Sequence, residues 1–160
     1  MTQPLHHEHI VRINDPANVA GAWLTREQLW AGLQHTVIAP ELIDQSIDSV
    51  SIEEIGPSRL RREIHRGHRA TTDEVQLVPH ESLRISADAA GEFAGSTLEI
   101  RIEEPAPEML FVRFTYDVRG LADSRDEDED RARRSAYQSS DIERICEARR
   151  YASRRAHLTQ

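Results

Sequence analysis

Apolar and polar residues alternate along two runs in the second half of the chain. Leu98, Ile100 and Ile102 are interleaved with Thr97, Glu99, Arg101 and Glu103, and Leu110, Val112, Phe114 and Tyr116 with Phe111, Arg113, Thr115 and Asp117. A period of two marks a strand with one buried face. Between the runs lies EPAPE, residues 104–108. Pro105 and Pro107 lack amide donors, so this stretch suits a connection rather than a ladder. The pattern predicts a hairpin with a five-residue loop. Setting Ile102 opposite Leu110, Ile100 opposite Val112 and Leu98 opposite Phe114 also sets Glu99 against Arg113 and Thr97 against Thr115. Both are favourable cross-strand pairs, whereas a shift by two would oppose Arg101 to Arg113.

The rest of the chain is read in the same way. Residues 5–13 alternate weakly, with His9, Val11 and Ile13 on one side, and predict a first strand. NDPAN follows as a turn. Thr25 is a helix N-cap with Gln28 as its capping-box partner, and Leu29, Trp30 and Leu33 form that helix's apolar face. Pro40 ends it or begins a second short helix through Leu42. Val50 and Ile52, Leu60 and Ile64, Val75 and Leu77, and Leu83 and Ile85 mark four further strands. Gly56-Pro57-Ser58, Gly67-His68 and Pro79-His80 separate them. After Gly120 an acidic segment, Asp123 to Asp130, leads into a stretch rich in Ala and Arg. An acidic start and a basic end complement a helix macrodipole. A helix over about 123–156 would be about 50 Å long. Either one end projects or the helix bends near Ser139-Ser140-Asp141, where Ser140 and Glu143 form a second capping box. The order is strand, two short helices, six strands, long helix. That is an α+β architecture, a mostly antiparallel sheet with helices on one face. The whole of 1–160 reads as one domain, with the hairpin's apolar face beneath the C-terminal helix.

Composition narrows the function classes. Of the 160 residues 30% are charged, and the net charge is -8. Such a charge disfavours nonspecific nucleic-acid binding. No apolar run approaches the ~20 residues of a membrane span and no signal-peptide pattern opens the sequence, so a cytoplasmic location is expected. The lone Cys146 permits no internal disulfide. The 20 basic residues are all arginine. Without lysine, Schiff-base chemistry and a phosphate-loop lysine are excluded. Arginine favours bidentate contacts to any anion bound.

Candidate chemistry is sparse. In HHEH, residues 6–9, His7 and His9 share a strand face and Glu8 points away. Two ligands fall short of a structural zinc site, so neither metal nor cofactor is expected. His65 and His68 flank a turn. Cys146, beside Ile142 and Ile145, reads as a buried thiol. GxSxG, GxGxxG and HExxH are all absent. More informative are charges with inward parity. Arg62 shares a face with Leu60 and Ile64, and Asp73 with Thr71, Val75 and Leu77. A charge on an apolar strand face must be paired, solvated or used. The two could pair across their strands, as a structural bridge or to hold Arg62 ready for an anionic ligand group. Tyr116 ends the apolar face with a hydroxyl that needs a partner if buried.

The element order resembles the helix-grip fold of the START/Bet v 1-like (SRPBCC) superfamily. VRINDPAN, LTREQLWAGL, FAGSTLEIRIEEPAP and LFVRFTYDVRG are similar to its AtaL-like branch, a domain of unknown function. The resemblance implies a curved antiparallel sheet wrapped around a long C-terminal helix, with a cavity between them. It implies no established reaction and no catalytic residues. On this reading Trp30, Phe93, Leu98, Ile100, Phe114, Tyr116 and Tyr137 wall the cavity, and Arg62 with Asp73 forms a polar end. Ala132, Ala136, Ser140, Ala148 and Ala152 would leave room on the helix, while Ile142 and Ile145 clamp it to the sheet. The leading expectation is a binder of a small apolar or amphipathic molecule, with neither nucleic acid nor membrane as partner. The alternatives are a polyketide cyclase-like enzyme acting in the same cavity, and an interaction module whose charged helix binds a partner or a second copy as a homodimer.

Overall fold

A computed structural model describes residues 2–17, 22–88, 95–122 and 125–158. Seven strands form one antiparallel sheet: β1 (Thr2–Arg12), β2 (Ser49–Gly56), β3 (Arg59–Arg66), β4 (Arg69–Val78), β5 (Ser82–Ala87), β6 (Ser96–Glu103) and β7 (Phe111–Ala122). Helix α1 (Arg26–Ile38) and a 3-10 turn (Pro40–Leu42) follow β1, and helix α2 (Glu127–Leu158) follows β7. The strand order is β1-β7-β6-β5-β4-β3-β2. Six strands thus meander in chain order, while β1 pairs with β7. The segment carrying α1 therefore joins the two opposite edges of the sheet, β1 and β2. This is the helix-grip, Bet v 1-like architecture, a curved sheet with a long C-terminal helix.

The local signals act as expected at α1. The Thr25 hydroxyl accepts from the Gln28 amide at 3.1 Å and the Gln28 side chain accepts from the Thr25 amide at 2.9 Å. Leu29, Trp30, Leu33 and Val37 turn inward and join Leu83, Ile100, Val112 and Phe114 in the main core. α2 packs on α1 through small residues. A Cβ added at Gly32 would lie 2.7 Å from the Ala148 backbone, so this crossing is closed to any larger side chain. α2 itself is one unbroken helix of 32 residues, about 48 Å long.

The hairpin register differs from the expectation. Leu98 lies opposite Tyr116, Ile100 opposite Phe114, and Arg101 opposite Arg113. Two features outweigh the like-charge pair. Long side chains reach diagonal neighbours, and here Arg113 Nε donates to Glu103 at 2.6 Å while Arg101 pairs with Glu99 on its own strand at 3.0 Å. The connection also runs over seven residues, 104–110, rather than five. Glu104 accepts the Glu108 amide at 2.8 Å, and the Asn14 amide donates to the Glu108 carbonyl at 2.8 Å. Glu108 takes a left-handed φ of 68° there. Because the slip is two residues, each side chain keeps its face.

The small residues of α2 also serve a different purpose from the one expected. Ala148 and Ala152 are buried where α1 crosses, but Ala132 and Ala136 are exposed. At about 100° per residue, Ala132 and Ala152 are rotated by roughly 160° and cannot share a face. Ile145 is buried as a clamp, while Ile142 is 51% exposed. Cys146 is half-buried rather than buried.

Candidate functional site

A cavity of about 490 Å³ opens beside the first half of α2. The sheet wall carries Ile64 and Thr71, Ile85 and Ala87, Leu98, and Tyr116 with Val118. Ile43 and Ile47, between the 3-10 turn and β2, close one side, and Tyr137, Ser140 and Arg144 of α2 close another. Its position follows from the packing. α1 fills the concave face under the second half of α2, and nothing of comparable bulk fills the space under the first half.

Of the residues expected to line the cavity, Arg62, Asp73, Leu98, Tyr116 and Tyr137 do so. Trp30, Ile100 and Phe114 do not. They are 6%, 0% and 0% exposed and belong to the solid core under α1, because α1 seats on that part of the sheet. Ala136 points outward for the rotational reason given above. Phe93 lies outside the described residues.

The polar residues fall into two groups. Arg62 and Asp73 stand opposite each other on β3 and β4, 4% and 6% exposed. Arg62 Nε and Nη2 donate to the two Asp73 oxygens at 2.8 and 2.7 Å, and Nη1 donates to the Val37 carbonyl at 2.8 Å. All three guanidinium nitrogens are thus engaged, and the pair is closed on itself. The second group was not foreseen. Asp141, on α2, is fully buried. One of its oxygens accepts from the Tyr116 hydroxyl, and the other is 3.0 Å from His9 Nδ1 on β1. Tyr137 stacks on Tyr116 with ring centroids 4.3 Å apart. One signal could have revealed Asp141. It lies four residues from both Tyr137 and Ile145, so a charge interrupts the inward stripe of α2.

Burial sets the electrostatics of this group. It raises the Asp141 carboxyl above the usual carboxylate range, against the opposing pull of the Tyr116 and His9 hydrogen bonds. Burial and the adjacent Asp141 charge push the Tyr116 phenol well above its ordinary value. The hydroxyl therefore stays protonated and donates to Asp141, leaving its oxygen lone pairs free to accept. His7, beside Tyr116 and Tyr137 on the inner face of β1, has its pKa lowered by burial and a buried Nε2 without a hydrogen-bond partner among the described residues. The expected shared face of His7 and His9 is present, but His9 turns to Asp141. No group of three or more potential metal ligands occurs among the described residues. No helix there is long and apolar enough to cross a membrane.

The sequence matches the AtaL family, described as acetylaranotin biosynthesis cluster protein L, over residues 11–155. No curated protein matches it. Among solved structures, the fold is similar to the Zhui aromatase/cyclase from Streptomyces sp. R1128, with a TM-score of 0.67 and 17% identity over 96% of each chain. It is also similar to the di-domain ARO/CYC StfQ from the steffimycin biosynthetic pathway, with a TM-score of 0.72 and 12% identity over 96% of this chain. The chain spans about half the length of that protein, 52%. Ara h 8.0201 has a TM-score of 0.61 at 10% identity over 94% of this chain and 98% of its own. At such identities the likeness is one of fold.

Proposed function

We propose that this chain, which belongs to the AtaL family, binds a small, largely apolar or amphipathic molecule in the cavity between the sheet and the first half of α2. The observation that carries this reading is the cavity itself. About 490 Å³ lies within the range of small-molecule sites, and isoleucine, leucine and tyrosine side chains converge there with a few polar groups. An interaction module would instead call for a filled interior and an apolar stripe on the outside of α2. Ile142 and Leu158 are exposed there, but sixteen residues separate them.

The test is a fluorescence titration with the neutral apolar probe N-phenyl-1-naphthylamine. Wild-type protein should bind it with a blue-shifted emission. Ala87→Trp places an indole inside the cavity and should weaken binding at least tenfold in a folded protein. Ala136→Trp, on the exposed face of α2, should bind as wild type. A wild-type protein that ignores the probe, or a folded Ala87→Trp variant that binds it unchanged, refutes the reading.

A second reading, a cyclase-like enzyme, is favoured by one observation. Tyr116 lines the cavity, and its hydroxyl donates to a buried carboxylate that His9 also bonds. A phenol so placed could take a proton from a bound substrate while passing its own to Asp141. Relatives by fold that are aromatase/cyclases support weighing this chemistry. Its test is deuterium exchange at the α-carbon of an aryl 1,3-dicarbonyl probe in heavy water, followed by mass spectrometry. Exchange faster than the buffer rate and abolished by Tyr116→Phe supports catalysis, and exchange at the buffer rate refutes it.

A further inference from the structure

Three arginines line the cavity, and two are already committed to carboxylates. Arg62 is saturated by Asp73 and the Val37 carbonyl. Arg66 pairs with Asp44 at 2.9 Å and bonds the Ser46 hydroxyl at 3.1 Å. Arg144 differs. Its Nη1 donates to the Thr36 hydroxyl at 2.9 Å, and that is its one hydrogen bond among the described residues. The nearby carboxylates are engaged elsewhere, Asp73 with Arg62 and Asp141 with Tyr116 and His9. A guanidinium has five N–H donors in a planar fork. Nε and Nη2 of Arg144 therefore have no protein acceptor among the described residues, and Arg144 is part of the cavity wall.

The anchor is rigid. Thr36 is fully buried on α1 and donates its own proton to the Leu33 carbonyl at 2.7 Å. Its oxygen is thus oriented to accept from Arg144, which holds the guanidinium in place. Arg144 is half-buried, and a charge partly withdrawn from water with a single neutral hydrogen-bond partner is costly unless something else meets it. Burial lowers the pKa of Arg144 from its ordinary value, but a guanidinium remains charged at neutral pH.

We infer that the ligand is an amphipathic carboxylate, its planar oxygen pair docked on the free edge of Arg144 and its apolar body along Ile85, Leu98 and Val118. This rests on the reading of the cavity as a binding site, and it adds the chemistry of the ligand's head group. A carboxylate meets the guanidinium with two parallel charge-assisted bonds, which a neutral amide of the same shape cannot form.

The test uses 2-naphthoate and its neutral isostere 2-naphthamide as competitors of bound N-phenyl-1-naphthylamine at neutral pH. With wild-type protein the acid should displace the probe at a concentration roughly tenfold or more below that of the amide. Arg144→Gln should bring the two competitors together, each displacement being referred to that variant's own affinity for the probe. If that variant does not fold, Thr36→Val keeps the guanidinium but removes its anchor, together with the bond to the Leu33 carbonyl, and should narrow the preference. Equal displacement by acid and amide in wild-type protein overturns the inference, as does a preference that survives in folded Arg144→Gln. In both cases probe binding persists and the binding reading stands. A wild-type protein that takes no probe overturns both.

Discussion

Removing Asp73 would leave the Arg62 guanidinium sealed at the cavity wall with one of its three hydrogen bonds. Both residues are at least nine-tenths buried, and the pair is held by two bonds of 2.7–2.8 Å. In Asp73→Ala both charge-assisted bonds are lost, each typically contributing about 1.5–3 kcal/mol. The charge left behind retains only the Val37 carbonyl. Breaking one side of a buried ion pair costs about 3–5 kcal/mol by precedent, in agreement with that sum. For a chain of this size, 1 kcal/mol shifts the melting temperature by about 2–4 °C, so a fall of roughly 6–20 °C is expected. Replacing both partners at once, Arg62→Met with Asp73→Leu, removes the uncompensated charge and should restore most of the loss. The assay is equilibrium urea unfolding of the two single variants and the double variant, with the denaturant slope checked for constancy. A loss below about 1 kcal/mol in Asp73→Ala would mean that water in the cavity solvates Arg62 as well as the carboxylate does. The pair would then not be the closed structural bridge described here.

Gly32→Ala improves helix propensity by about 1 kcal/mol but drives a methyl group into the Ala148 backbone; a net loss of roughly 1–3 kcal/mol in urea unfolding is expected. Thr25→Ala removes one half of the capping box at α1 and should cost about 0.5–2 kcal/mol by the same measurement. His7 has a lowered pKa in the fold through burial and the neighbouring Arg134 charge. The unfolded chain therefore takes up its proton first as the pH falls through about 6.5. That contribution makes the protein less stable toward lower pH, and stability is regained as the pH rises. His7→Phe should flatten the melting temperature between pH 7 and 5 relative to wild type; an unchanged slope would show that His7 is not desolvated.

Much of this protein could be read from local pattern because local pattern has a local cause. A strand exposes alternate residues to alternate faces, so the period of two assigned Leu98, Ile100, Val112 and Phe114 to the inside without knowledge of what lay above them. The same parity brought Arg62 and Asp73 to the inner face, where such charges are paired, solvated or used, and the structure pairs them. Thr25 and Gln28 are three residues apart and satisfy each other's backbone, so α1 announced its own start. The tertiary structure decided what parity and periodicity leave degenerate. A slip of two residues preserves every face, so the alternation could not separate Glu99 opposite Arg113 from Arg101 opposite Arg113. The longer turn, tied by Asn14 from ninety-four residues away, selected the register. The rotation of α2 was equally open. An Ala-rich helix has no strong apolar stripe to orient it, and it was Gly32 of α1 that received Ala148 and turned Ala136 outward. The cavity, and the meeting of His9, Tyr116, Asp141 and Arg144 around it, arise from contacts between elements more than a hundred residues apart as well as close neighbours. No spacing in a one-dimensional chain encodes such a meeting, because each residue's role depends on which partner the others have already taken.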